Sequence, residues 1–338
     1  LKKNIVTIAL IFITGIISFI AGNNFGKNKK IKNSTDNSIK TATTDTLDNT
    51  GKTDELRLGG YTFINPLLDC DNYHPSMISS SLQLERKVKY YIDSVISAKR
   101  ASQISFYYRD LANGPWIGIG EKDDFSPASL LKVPIMIAAF KKAENEPGFL
   151  EKKIRFDKNL NSEIIPNITD SVIKIGHSYT VEKLIYYMIV HSDNNARLLL
   201  YQNIDMIFIN KVFSDMDIDI SNFNESKDFM SVKTYSSFFR TLYNATYLNK
   251  ENSEKALQIL SHSSFRQGLP ALLPANVLIA HKFGERGYAD SNEKQLHDCG
   301  IVYKGNTPYL ICIMTKGTSN QELTKIIADI SLLVYINN

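Results

Sequence analysis

Ser129 and Lys132, in the tetrapeptide Ser129-Leu130-Leu131-Lys132, are the side chains from which chemistry is most readily built. A serine hydroxyl is a poor nucleophile until something takes its proton. A lysine three residues further along a helix lies on the same face, close enough to touch. Desolvation and a neighbouring cation can lower its amine into the range where it accepts that proton. The S-x-x-K pattern recurs at 171–174 and 291–294, so the pattern alone does not discriminate. Only Ser129 opens a long apolar run, SLLKVPIMIAAF, just after Pro127, a residue common at helix starts. A helix start also presents unpaired N–H groups and a positive dipole end to a developing oxyanion. Taken alone, the tetrapeptide equally suits a capping serine and a snorkelling lysine.

Two further groups stand downstream. Ser192-Asp193-Asn194 separates the helical patterns YTVEKLIYYMIV and NARLLLY, where Ser192 or Asp193 would also serve as an N-cap. Lys282-Phe283-Gly284 ends a strand-like run, NVLIAHKFG, although K-x-G also occurs at 174–176. The histidines at 74, 177, 191, 262, 281 and 297 have no paired ligand spacing, so no metal and no other cofactor is expected. His281 and His297 read as packing or hydrogen-bonding groups beside the site. The tyrosine pairs at 107–108 and 186–187 read as packing.

These side chains need a scaffold. Leu84, Val88, Tyr91, Ile92 and Val95 recur at helical spacing over about 82–98. Residues 103–110 and 116–120 flank Asn113-Gly114-Pro115 as a hairpin. The stretch 129–260 is mostly helical in pattern. Strands are then expected over 276–283, 299–304 and 308–315. A last helix carries Leu323, Ile326, Ile327, Ile330, Leu333 and Val334 on one face, with Ser319 and Glu322 as its capping box. The class is α/β: an antiparallel-rich sheet flanked by helices, with an all-helical subdomain inserted at roughly 129–260. Cys299 and Cys312 fall on neighbouring strands around Gly305-Asn306. Counting back from that turn sets Gly300 opposite Cys312, which argues against a bridge and leaves Cys70 open as a partner.

The order of the motifs adds what each lacks singly. A helix-opening S-x-x-K, then S-D-N between helices, then K-x-G on a late strand resembles the class A serine β-lactamases and the related penicillin-binding D,D-peptidases. FSPASLLKVPIMIAAF, YTVEKLIYYMIVHSDNNA and PANVLIAHKFGE carry the resemblance, which spans essentially 82–338. It implies a serine β-lactamase/transpeptidase-like fold and a serine hydrolase acting on an amide bond. Ser129 would be the acylated nucleophile and Lys132 its proton acceptor or relay, with Ser192 passing a proton to the leaving nitrogen. Asn194 would hold Lys132 and the substrate's amide side chain, and Lys282 would supply positive charge near Ser192 and a substrate carboxylate. Gly284 completes the K-x-G motif, and the N–H groups of Ser129 and Glu285 would form the oxyanion hole. The implied substrates are a β-lactam or, alternatively, a D-Ala-D-Ala-type stem peptide with slow deacylation. A non-catalytic wall-binding relative is the third reading.

Two departures from the family pattern stand out. Phe283 occupies a position where the family has Thr or Ser, a hydroxyl that helps bind the substrate carboxylate. That task would fall to Lys282, with Arg286 as a second candidate. The family's deacylating Glu lies in an E-x-x-L-N loop, and here only SNFNESKDF (221–229) stands in that place, about a dozen residues short. Glu225 is the nearest carboxylate and Asp228 the second.

Of the 338 residues, 43% are hydrophobic and 22% charged, which excludes a disordered chain and a polytopic membrane protein. The net charge of +4 lies wholly in residues 1–58, leaving 30 basic and 30 acidic side chains in 59–338. A nucleic-acid partner is therefore not expected. Residues 5–22 are uncharged, about 27 Å long as a helix, and follow Lys2 and Lys3. Residues 1–22 read as an uncleaved membrane anchor in preference to a signal peptide, because small residues at a cleavage site are lacking. Residues 23–58 read as a flexible polar tether and 59–338 as the hydrolase domain. Lys27, Lys29, Lys30 and Lys32 alone would orient the domain inward. The resemblance implies the opposite, an extracytoplasmic domain on the bacterial cytoplasmic membrane.

Overall fold

A computed structural model describes residues 55–70, 78–112, 114–158, 172–218, 228–288 and 291–338. The expected anchor at 5–22, most of the expected tether and Glu225 lie outside the described residues. Among the described residues no helix is long and apolar enough to cross a membrane.

Five strands form the central sheet: β3 (Gln103–Asp110), β4 (Trp116–Ile119), β7 (Leu278–Gly287), β8 (Lys294–Tyr303) and β9 (Tyr309–Gly317). Their order is β4-β3-β9-β8-β7, and every neighbouring pair is antiparallel. Strand alternation sorts β9 cleanly. Tyr309, Ile311 and Ile313 enter one core and Leu310, Cys312 and Met314 the other. The strand is buried on both faces, as a near-continuous apolar run requires.

Helices α1 (Ile78–Ser97) and α8 (Asn320–Asn337) cover the first face. Leu84, Val88, Ile92 and Val95 of α1 meet Leu323, Ile326, Ile327, Ile330 and Val334 of α8 in that core. Ser319 caps α8 by accepting from the Glu322 N–H. The second face supports α2 (Lys132–Asn145), α3 (Val181–Val190), α4 (Asn194–Asn203), α5 (Met206–Asp215), α6 (Val232–Tyr243) and α7 (Lys250–Ser261). The paired short strands β5 (Lys153–Arg155) and β6 (Ser178–Thr180) lie between α2 and α3 in sequence. Side-chain caps define several helix starts. Thr180 accepts from Lys183 N–H, Asp193 from Ala196 N–H, Ser231 from Thr234 N–H and Asn249 from Asn252 N–H.

Glu55–Arg57, which composition places at the end of the tether, form β1 and pair with β2 (Leu67–Cys70). The chain between them is clamped to the body. Glu254 of α7 accepts from the N–H groups of Thr62, Phe63 and Ile64. Tyr303 donates to the Phe63 carbonyl and Arg57 to the Asn65 carbonyl.

One expectation needs correction. Cys299 and Cys312 are directly opposite in the β8–β9 register and form a disulfide. The turn closes from Thr307 N–H to Lys304 carbonyl, with Gly305 at φ +53°. Its centre lies between Gly305 and Asn306, the turn named from the sequence, and counting outward from it pairs Lys304 with Thr307 and Cys299 with Cys312; the expected pairing of Gly300 with Cys312 is one residue out.

Candidate active site

The nucleophile candidate sits where a tight turn becomes a helix. Ala128–Leu131 form one 3-10 turn that runs directly into α2 at Lys132. Ala128 has φ +48°, a left-handed conformation unusual for a residue with a Cβ. Contacts from distant elements hold the turn. Tyr235 of α6 donates its hydroxyl to the Leu130 carbonyl at 3.0 Å. Ser126 is braced by Gln295, which accepts from its N–H, and by His297, whose Nε2 meets its carbonyl at 3.0 Å. His297 Nδ1 accepts from Thr315 N–H, so Nε2 carries the proton and the ring is a neutral brace. Burial pushes its pKa down to about 4, although hydrogen bonds to Ser126 and Leu296 oppose that.

Lys132 is 1% exposed, and its amine gathers the first two motifs. Nζ lies 3.0 Å from Ser129 Oγ, 2.9 Å from Ser192 Oγ, 2.5 Å from the Ser192 carbonyl and 2.8 Å from Asn194 Oδ1. The α3–α4 junction aims the second motif. Ser192 has φ +55°, and Asp193 ties the junction down by accepting from Val172 and Ile173 N–H as well as capping α4.

Lys282 brings in the third motif from edge strand β7. It is fully buried and donates to Ser192 Oγ at 3.1 Å and to the Phe283 carbonyl at 2.8 Å. Burial lowers its pKa to about 7, with the Asp298 carboxylate pulling the other way. Two amines thus occupy both lone pairs of the Ser192 hydroxyl, which leaves its own proton to be donated elsewhere. Gly284 lets β7 approach the nucleophile turn. A Cβ there would stand 2.7 Å from the Pro127 carbonyl and 2.9 Å from Leu130 Cγ.

Ser129, Lys132, Ser192, Asn194 and Lys282 therefore form one hydrogen-bonded cluster, with Gly284 against its backbone. A hydroxyl hydrogen-bonded to a buried amine, beside a second hydroxyl held between two amines, can attack a carbonyl and deliver a proton to the departing group. The other candidates are occupied elsewhere. Glu285 turns its side chain to Asn320 of α8, and burial raises its carboxyl pKa. Asp228 binds Lys316 at 2.6 Å and accepts from Gln295 at 3.0 Å. Burial opposes ionisation there, yet those bonds hold its pKa below the usual carboxylate value. Arg286 lies over the Tyr288 ring and reaches Ser126 Oγ at 3.4 Å. Among the described residues no group of His, Cys, Asp or Glu is arranged to hold a metal ion. Tyr235, Gln295 and Asp298 were not legible as site residues, since their partners lie far away in sequence and none falls in a motif. Ser291–Lys294, a rival S-x-x-K, leads into strand β8 and opens no helix.

A model of the β-lactamase enzyme family matches residues 86–337. Over 274 residues the chain is 24% identical to β-lactamase VEB-1 of Pseudomonas aeruginosa, covering 72% of this chain and 88% of that one. Among solved structures, a β-lactamase from Chitinophaga pinensis superposes with a TM-score of 0.65 at 19% identity, over 74% of this chain and 98% of that one. PBP-A superposes with a TM-score of 0.64 at 20% identity, over 75% and 95%. At such identities the structural likeness establishes the fold.

Proposed function

The chain belongs to the β-lactamase enzyme family, and on that basis we propose that Ser129 is the nucleophile through which it hydrolyses a β-lactam amide. It is a serine hydrolase acting on an amide bond. Ser129 Oγ attacks the carbonyl as its proton passes to Lys132, and the oxyanion meets the N–H groups of Ser129 and Glu285. Ser192 then passes its proton to the departing nitrogen and takes from Lys132 the proton that came from Ser129, while the positive charge of Lys282 steadies the Ser192 oxygen during the transfer. Asn194 holds the substrate's amide side chain, and Lys282 also faces its carboxylate. Water afterwards releases the acyl group, and Glu225 is the candidate for the base that positions it, with slow deacylation expected where the shortened 221–229 loop fails to bring a carboxylate to the site. The observation carrying this reading is the position of Lys132 Nζ, within 3.0 Å of both Ser129 Oγ and Ser192 Oγ.

Intact-mass measurement over time after adding a penicillin tests it. The expected result is a transient adduct with free product, absent in Ser129→Ala. A lasting adduct would point instead to a D,D-peptidase-like enzyme with slow deacylation. No adduct on the native protein would sink both. Unchanged turnover in Glu225→Ala would remove that residue as the base.

The enzyme's position is part of the proposal. Residues 5–22, uncharged and about 27 Å long as a helix, anchor it to the bacterial cytoplasmic membrane, and the family resemblance, not the lysine balance around the span, is what places the domain outside. Recovery of the full chain in the soluble fraction after cell breakage would contradict this.

A further inference from the structure

Lys282 and Phe283 are consecutive on β7, yet the lysine amine lies 4.1 Å from the centroid of the phenyl ring. Phe283 is 6% exposed and stacks on Phe265, with centroids 4.2 Å apart and planes at 20°. Phe265 follows α7 in a segment fixed to the site. Its neighbour Ser264 donates both N–H (3.0 Å) and Oγ (2.8 Å) to the carbonyl of Val190, which ends α3 two residues before Ser192. The aromatic pair is thus fastened to the same junction that aims Ser192.

An ammonium has three hydrogens. For Lys282, two have oxygen partners in Ser192 Oγ and the Phe283 carbonyl. The ring face, negative in its quadrupole, is placed to serve the third. We propose that Phe283, braced by Phe265, is a positioning residue whose ring holds the charged form of Lys282 against Ser192. This deepens the reaction above and rests on it for its catalytic meaning, though the cation–ring contact can be measured without substrate.

Charged groups flank the amine on two sides. Asp298 on β8 favours the cation and is itself bonded to His281 Nδ1. Lys132 on α2 approaches from the other side of Ser192 Oγ and disfavours it. Asp298 stands directly opposite Phe283 in the β7–β8 register, so a variant that keeps the ring is needed to separate loss of the π face from a shift of that carboxylate.

The test is a nitrogen-15 NMR titration of lysine side chains in the full chain, with the Lys282 signal identified by its loss in Lys282→Met. Phe283→Leu keeps an apolar side chain and removes the π face. Its Lys282 midpoint should fall by about one pH unit, the range expected of a desolvated cation–π contact. Phe283→Tyr restores the face and should return the midpoint to the wild-type value. An unchanged midpoint in a cooperatively melting Phe283→Leu protein overturns the proposal, as does a Tyr variant that shifts as far as Leu. Should Phe283→Leu fail to fold, Phe265→Leu unbraces the ring. Its midpoint should also fall, and an unchanged value overturns the proposal. Penicillin acylation followed in parallel separates the two ideas, because a wild type that never acylates removes the reaction while the titration still decides the contact.

Discussion

Replacing Lys282 with methionine should remove a pH dependence of stability whose size follows from the buried site. The side chain is fully buried and its pKa falls to about 7 from the exposed value of 10.5. At about 1.4 kcal/mol per pH unit, that gap corresponds to a ceiling of about 5 kcal/mol. Below pH 7 the folded and unfolded states both carry the proton, so the folded state bears the whole penalty of a buried cation. Between 7 and 10.5 the unfolded chain keeps a proton that the folded one has released, and stability rises with pH. Lys282→Met has neither the penalty nor the rise. Urea unfolding of both proteins at intervals from pH 6 to 10 isolates the effect, because titrating groups that do not interact with Lys282 cancel in the difference. The variant should be the more stable at pH 6, and its advantage should shrink by about 4 kcal/mol by pH 10. It should also lose acylation, since Ser192 loses a donor. A stability difference that stays flat to within about 1 kcal/mol across that range, when about 1.4 is expected for each pH unit, would refute the assignment of Lys282 as a desolvated amine.

Other perturbations test the scaffold. Gly284→Ala drives a methyl to 2.7 Å from the Pro127 carbonyl. It should cost about 1–3 kcal/mol in thermal or urea unfolding and slow penicillin acylation, because the nucleophile turn and β7 must separate. Glu254→Ala strands the N–H groups of Thr62, Phe63 and Ile64. A loss of about 2 kcal/mol is expected in urea unfolding, together with proteolytic cleavage between residues 57 and 66. Combined Cys299→Ala and Cys312→Ala should lower stability by up to about 3 kcal/mol, the chain-entropy value for so short a loop. Equal unfolding midpoints with and without the bridge would show that the hairpin needs no covalent tie.

The reading from sequence succeeded where a residue's neighbours are local. Ser129 and Lys132 share one turn, and β3, β9 and α8 announce themselves by apolar periodicity. It fell short on β8, which begins at Lys294 and not near Cys299. The first five residues, KQLHD, look like a loop because three of them are polar and buried. Gln295, His297 and Asp298 are each paired across the fold, with Ser126, with Ser126 and Thr315, and with His281 and Leu269. Hydrophobicity patterns cannot register a polar side chain whose partner is 17 to 171 residues away. The Phe265–Phe283 stack was hidden for a related reason, since nothing near Phe265 in sequence marks it as a partner for β7. The disulfide was missed by a smaller margin, one residue in the count back from a turn that was itself correctly placed at Gly305-Asn306.

Lys132 holds a last consequence in its valence. Four oxygens lie within bonding distance of an atom that has three hydrogens when charged, so at least one contact is always shared. Neutral, the same nitrogen has two hydrogens and a lone pair. The Ser129 hydroxyl is then the neighbour that turns its proton toward that lone pair, as a nucleophile about to attack must. Two hydrogens remain for the Ser192 carbonyl, the Ser192 hydroxyl and the Asn194 amide oxygen. With the carbonyl fixed by the backbone, one of the two side chains is released. The proton that readies the serine thus also counts out which group is free to meet a substrate, and attack and reception are set by a single hydrogen.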